Sequence, residues 1–387
     1  MDTANRIENR AVKTASVAPC QLSVKVVNPH LDSRWERFVS QHPGALIYHH
    51  LSWLSALEKE YGQQCVCLAC EDSLGELVGV LPLMRTRGFP LSKRKPLVGA
   101  RLASLPRTPI AGPLTVSSNV TVLLLQEAVR RVSVESGICL QIKTQGPELC
   151  GLIEGVVAKS WRLSYVLRFP ENVEGMFQIA DGKNRSKVKR SINKAVASGL
   201  KIRIAETEED LASWYRLYLD VMRRNFVLAR PYRFFLALCE FMKPNGLMRL
   251  LLAERQAEGK TRIVGGHIYF TFGKTMTYAF GASHAEDFVY RPNDFIMWHA
   301  INDAYCEGFK YFDLGEAPDG DEGLVRFKSK WGAEPVQLYR YYFPDFADAS
   351  HSTEDSKSTL AEIFKRLWRR VPLRVTSWIG DLVYARL

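Results

Sequence analysis

Apolar positions recur at helical spacing in several stretches of the chain. Leu51, Leu54 and Leu57 predict a helix over 51–61 with Ser52 as its cap, and the pattern over 120–136 predicts another. Val188, Ile192 and Ala195 share one face of a basic helix that Gly199 stops. Aromatic-rich amphipathic stretches at 211–227 and 232–242 give two further helices. Met297, Ala300, Ile301 and Ala304 mark one more, capped by Asn293 or Asp294 and ended by Gly308. Between these lie short apolar runs of strand character. Runs at 65–69 and 77–83 flank the turn Glu71-Asp72-Ser73-Leu74-Gly75, and runs at 248–253 and 263–270 flank Glu258-Gly259-Lys260. Single strands are expected at 138–143, 275–280 and 311–314, the last ending in a turn at Gly315.

The succession of helices, antiparallel hairpin, helix and strand occurs twice. Leu77-Val78-Gly79 and Ile263-Val264-Gly265 each open the return strand of a hairpin. This weak repeat predicts an α/β chain of two similar units with mixed sheets. The divisions are a disordered N-terminus over 1–20, a first domain over 21–160, a second over 161–344, and a linker with a basic amphipathic helical tail over 345–387. In that tail Phe364, Leu367, Trp368 and Val371 fall at helical spacing. After Pro372 the stripe resumes at Val375, Trp378, Ile379, Leu382 and Val383. Two such helices suit packing on the protein or contact with a membrane surface through 360–387.

Composition narrows the partners. At 387 residues, 47% of them hydrophobic, the chain can bury sizeable cores, and its net charge of +11 favours an anionic, phosphorylated substrate, a nucleic acid or an acidic membrane face. The charge is clustered: six cations and no acid lie over 85–101, and eight cations against one acid over 181–203. The cysteine cluster Cys65, Cys67 and Cys70 has no second ligand pair, so it is expected to be buried strand thiols in a reducing compartment, with no metal. No apolar leader precedes residue 20 and no run approaches a membrane span, so a cytoplasmic protein, peripheral at most at the inner membrane, is expected.

One stretch gathers chemistry. From Tyr311 to Gly332 a strand carrying Asp313 passes through Gly315 into a Gly, Pro and Asp loop, and then into Arg326, Lys328, Lys330 and Trp331. A carboxylate at a strand end beside cations and a glycine turn suits a phosphorylated or carbonyl substrate, and equally suits a turn followed by a solvated basic segment.

These segments resemble the FemAB-like branch of the acetyltransferase (GNAT) superfamily, over about 46–343. The resemblance rests on Lys183, Arg185, Val188, Ser191, Lys194, Ala195, Gly199 and Leu200 at their spacing. It rests equally on Phe312-Asp313-Leu314-Gly315 followed by Gly323, Leu324, Phe327, Lys328, Trp331 and Gly332. It implies two tandem GNAT-like domains and an acyltransferase. Understood members move an aminoacyl group from charged tRNA to the amine of a peptidoglycan precursor, and others are associated with exopolysaccharide (PEP-CTERM) systems. The chain lacks the coiled-coil arm of some aminoacyl transferases and looks closer to the second group.

By resemblance Lys328 is the first candidate at the reaction centre, with Asp313 as a candidate base and Arg326 as an anion ligand. Tyr278 is a candidate substrate contact, and Arg185 and Lys189 would hold a polyanion. No bound cofactor is implied; the co-substrate is aminoacyl-tRNA or acyl-CoA. The loop 281–293 has no glycine after Gly281, carries Glu286 and Asp287, and places Pro292 where a backbone donor would serve a pyrophosphate. That favours charged tRNA or another activated acyl donor over acetyl-CoA. Three functions stay open: acyl or aminoacyl transfer to a cell-envelope or exopolysaccharide precursor, CoA-dependent N-acylation of a nucleotide sugar, and non-enzymatic nucleic-acid binding through the 183–203 helix.

Overall fold

The structure is a computed structural model that describes residues 21–88, 99–171, 182, 184–257, 259–345 and 371–384. The first half contributes strands β1 (Ser23–Val27), β2 (Val66–Glu71), β3 (Leu77–Thr86), β4 (Ala100–Ala103), β5 (Leu114–Thr115) and β6 (Ile138–Gln145). Its helices are α1 (Ser33–Gln41), α2 (Leu51–Tyr61) and α3 (Ser118–Ser133). The second half contributes β7 (Val157–Arg168), β8 (Leu200–Ile204), β9 (Met248–Ala257), β10 (Lys260–Phe272), β11 (Thr275–Ser283), β12 (Tyr311–Ala317) and β13 (Glu334–Phe343). Its helices are α4 (Arg185–Ala197), α5 (Glu208–Arg224), α6 (Tyr232–Phe241), α7 (Pro292–Cys306) and α8 (Glu322–Ser329), followed by α9 (Leu373–Tyr384).

All strands join one sheet in the order β1-β2-β3-β4-β6-β13-β7-β12-β11-β10-β9-β8, with β5 paired to β3. Pairing is antiparallel except at β4–β6 and β11–β12, one parallel pair in each half. The halves are stitched by β13, which pairs with β6 on one side and β7 on the other. Three apolar cores follow. Helix α3 covers the outer face of the first half, and α4 with α7 covers that of the second. Between them α1, α2, α5 and α6 build a shared core in which Trp53, Trp214, Phe234 and Phe270 are fully enclosed.

The internal repeat has a packing cause. A Cβ at Gly79 would run into Val120 of α3, and one at Gly265 would run into Ser283 with Ile296 of α7 just beyond. In both halves a bare backbone lets a helix settle on the return strand. Cys67 and Cys70, on β2, are fully buried, one in the shared core and the other under α3.

Several local expectations shift. Helix α2 is capped by the His50 ring, which accepts from Ser52 N, and not by Ser52. Helix α7 begins at Pro292, with Arg291 in the left-handed region as its cap instead of Asn293 or Asp294. Proline has its φ already set for the first helical position and no N–H to lose there. Gly315 does not end its strand: it sits at φ +74 inside β12 as a bulge. The basic face of α4 is exposed while Val188, Ile192 and Ala195 are buried, as their spacing predicts. The first tail helix, the N-terminus and Lys183 lie outside the described residues. Strands β1, β4, β5, β7, β8 and β13 and helices α1 and α8 were not anticipated from periodicity.

Candidate active site

Strands β11 and β12 pair in parallel only as far as Thr277 and Asp313, and then part. The β12 bulge at Leu314-Gly315 shifts its register against β7 over the same step. A splayed parallel pair beside a bulge leaves backbone unpaired and opens the sheet locally. A cleft of about 640 Å³ occupies the opening, floored by 277–281 and 313–316 and walled by first-half residues, among them Arg101, Arg107 and Lys143.

Lys328 enters from α8, whose cap Asp321 accepts from Leu324 N at 2.9 Å. Only 3% of Lys328 is exposed, and its Nζ donates to Gly315 O at 2.7 Å and Glu316 O at 2.8 Å. Those are the carbonyls that the bulge exposes, and the third N–H is left for a ligand. Burial lowers the Lys328 ammonium to about 8, opposed by the nearby charges of Asp313, Glu316 and Asp321. Asp313 Oδ1 accepts from Gly315 N at 2.8 Å and from Ser164 Oγ at 3.1 Å. Burial raises its carboxyl above the usual range, against those two hydrogen bonds and Lys328. Both described partners fall on one oxygen, so the other faces no competing donor. Tyr278 lines the same cleft between His267, at 4.9 Å ring to ring, and Tyr269 at 5.7 Å.

The remaining candidates are elsewhere. Arg326 is exposed, because two residues along a helix turn a side chain about 200° away from Lys328. Arg185 and Lys189 are exposed on α4 and do not line the cleft.

Residues that the pattern of the chain did not mark complete the site. The loop 104–110 carries two non-glycine residues at positive φ, Leu105 at 57° and Arg107 at 54°. Such a backbone persists only when its surroundings over-determine it. Here three buried cations grip its carbonyls: Lys143 on Leu105 O and Thr108 O, Arg340 on Pro109 O at 2.8 Å, and Arg230 on Arg107 O at 3.4 Å. Burial and the neighbouring Arg340, Arg101 and Arg107 hold the Lys143 ammonium well below the usual lysine range. Arg340 itself is lowered by burial to about 10. Glu316 collects the opposite wall, accepting from Trp161 Nε1 at 3.0 Å and Arg162 Nη1 at 3.3 Å, with Arg340 at 3.9 Å. In all, seven cationic side chains line the cleft against Asp313 and Glu316, so its field is positive. Arg101 was visible as one of the 85–101 cations. Lys143 and Arg340 stand inside apolar strand runs where nothing in the spacing marks them.

The cleft thus sets a buried lysine and a carboxylate among cationic side chains. Residues 182–329 match the family described as an acetyltransferase (GNAT) domain. The fold of the whole chain is similar to that of several solved structures. It superposes on the crystal structure of FemX with a TM-score of 0.64 at 16% identity, covering 83% of this chain and 98% of that one. It is also similar to L-PGS from Bacillus licheniformis (TM-score 0.53, 12% identity, 88% and 97% covered). A tandem GNAT protein of the clavulanic acid pathway gives a TM-score of 0.50 at 11% identity, with 83% and 98% covered. No curated protein matches the sequence.

Proposed function

We propose that the chain transfers an activated acyl or aminoacyl group to an amine of a phosphate-bearing cell-envelope or exopolysaccharide precursor, in the cleft between its halves. The observation that carries this reading is the meeting of Lys328 and Asp313 at the bulge with a wall of cationic side chains drawn from both halves, Lys143, Arg230 and Arg340 among them buried. Transfer needs a neutral amine, a carbonyl held against it and a counter-charge for the developing oxyanion. Asp313, with one oxygen uncommitted and its carboxyl raised, takes the proton from the attacking ammonium. Lys328, charged below about pH 8, donates its remaining N–H to the carbonyl oxygen as that oxygen becomes anionic. The amine nitrogen then bonds to the acyl carbon while the acyl C–O or C–S bond breaks, and a second proton from that nitrogen passes to the departing oxygen or sulfur, so the donor leaves as its hydroxyl or thiol. Arg101 and its neighbours hold the acceptor's phosphates, and the Tyr278 ring supports the substrate's apolar part.

Charged tRNA is favoured as donor over acetyl-CoA. The segment ahead of α7 is a 3-10 helix, Ala285–Tyr290, whose Glu286 and Asp287 are paired with Arg262. The first turn of α7 already holds Asp294, paired with Lys330. Two carboxylates and a helix N-terminus occupied by a third leave a pyrophosphate poorly received. Isothermal titration tests this: acetyl-CoA is expected to give no saturable heat, while a pool of charged tRNA competes for the chain at low salt. Micromolar binding of acetyl-CoA would overturn the donor assignment.

A further inference from the structure

Helix α9 is docked inside out. The face it lays on the protein is its small-residue face: Thr376 is fully buried, and a Cβ at Gly380 would run into Ala229 O. Polar contacts fix it there. Arg223 Nη1 donates to Val371 O at 3.2 Å, Tyr215 Oη meets Ser377 Oγ at 3.3 Å, and Arg233 pairs with Asp381 at 3.1 Å. Leu373 packs on the shared core and Ile379 and Val383 are half-buried, but three large apolar residues point to solvent: Val375 is 41% exposed, Trp378 62% and Leu382 47%. At spacings of three and four they form one stripe. A helix packed only to complete a core does the reverse.

We propose that this stripe lies in the surface of an anionic lipid bilayer, with α9 parallel to the membrane plane. Charge selects the occupant. Lys365, Arg366, Arg369, Arg370 and Arg374 precede or open the helix without one acid among 365–374, and the only acid of α9, Asp381, is paired with Arg233. A second copy of the chain would carry the same run of cations next to its stripe, whereas an anionic headgroup layer neutralises such a run. Tryptophan beside cations on a short amphipathic helix is the composition of an interfacial anchor. At 12 residues the helix lies on the bilayer, and no helix among the described residues is long and apolar enough to cross one.

Co-sedimentation of the full chain with phosphatidylcholine vesicles, with and without phosphatidylglycerol, tests the proposal independently of the cleft. The wild type is expected to bind the phosphatidylglycerol vesicles and not the neutral ones. The combined variant Val375→Ser, Trp378→Ser and Leu382→Ser touches only exposed side chains, and should lose at least about tenfold in partitioning while its thermal midpoint holds. Arg369→Glu with Arg370→Glu should weaken binding at low salt and flatten its dependence on salt. Equal partitioning of the wild type and the triple serine variant would overturn the proposal. So would a wild-type dimer in solution that the triple variant dissociates, since the stripe would then belong to a second copy.

Discussion

Lys328 occupies an unusual position for a lysine, since the residue is 3% exposed and its ammonium spends two N–H groups on its own chain's carbonyls. Burial costs the charged form, so the proton is released near pH 8 instead of near the usual lysine value. The cation is therefore present below about pH 8 and lost above it, and turnover should fall along an alkaline limb centred there. Lys328→Arg should remove that limb while retaining measurable activity, and Lys328→Met should abolish transfer with circular dichroism unchanged. A wild-type profile flat to pH 10 would separate Lys328 from catalysis. Asp313 has the opposite sign. Its carboxyl is raised, so activity should climb as pH rises through its folded value. Asp313→Asn preserves an oxygen for Gly315 N and Ser164 Oγ, so the loss should fall on kcat, by about 10²–10⁴-fold, more than on KM. A KM effect alone would make it a positioning residue.

At the scale of elements, most helices were legible because an apolar stripe recurs along each. Val188, Ile192 and Ala195 on α4 are an example. The short α1 and α8 were not legible. The Gly79 and Gly265 repeat was legible because a helix must approach both strands. Strand β13 was not, because Pro335 and Arg340 interrupt its alternation and its two neighbours come from distant parts of the chain. The same non-local pairing explains the missing half of the site. Lys328 and Asp313 share one motif, but Lys143 and Arg340 meet only when β13 inserts beside β6. Loop 104–110 carries Pro106 and Pro109, which say nothing of what holds its shape. One contact joins elements of both halves with little water near it: Arg230 grips Glu60 of α2 at 2.7 and 3.1 Å and stacks 3.4 Å over the Phe234 ring of α6. Glu60→Ala leaves a buried guanidinium without its carboxylate and should cost about 3–5 kcal/mol in urea unfolding. A loss within error would show that the shared core holds α2 against α6 without it.

For the whole molecule, duplication explains where chemistry can happen. Each half has one parallel strand pair, but only the second pair opens beside a bulge that a buried lysine reads. The first half, through β4, β6 and the 104–110 loop, supplies Arg101, Arg107 and Lys143, and the second adds Arg162, Arg230 and Arg340. The cleft is thus a property of the joined sheet, and under the proposed function these cations meet the anionic acceptor. The tail adds a surface of its own: α9 presents Trp378 outward on the side of α5 and Ala229, and a lipid-linked acceptor would be met at the bilayer. The most direct test of the central claim is a transfer assay. Purified chain is incubated with a pool of tRNAs charged with radiolabelled amino acids and with a nucleotide- or lipid-linked envelope precursor bearing a free amine. The account predicts label in the precursor with the wild type and none with Lys328→Met. Equal label transfer by the two proteins would contradict it.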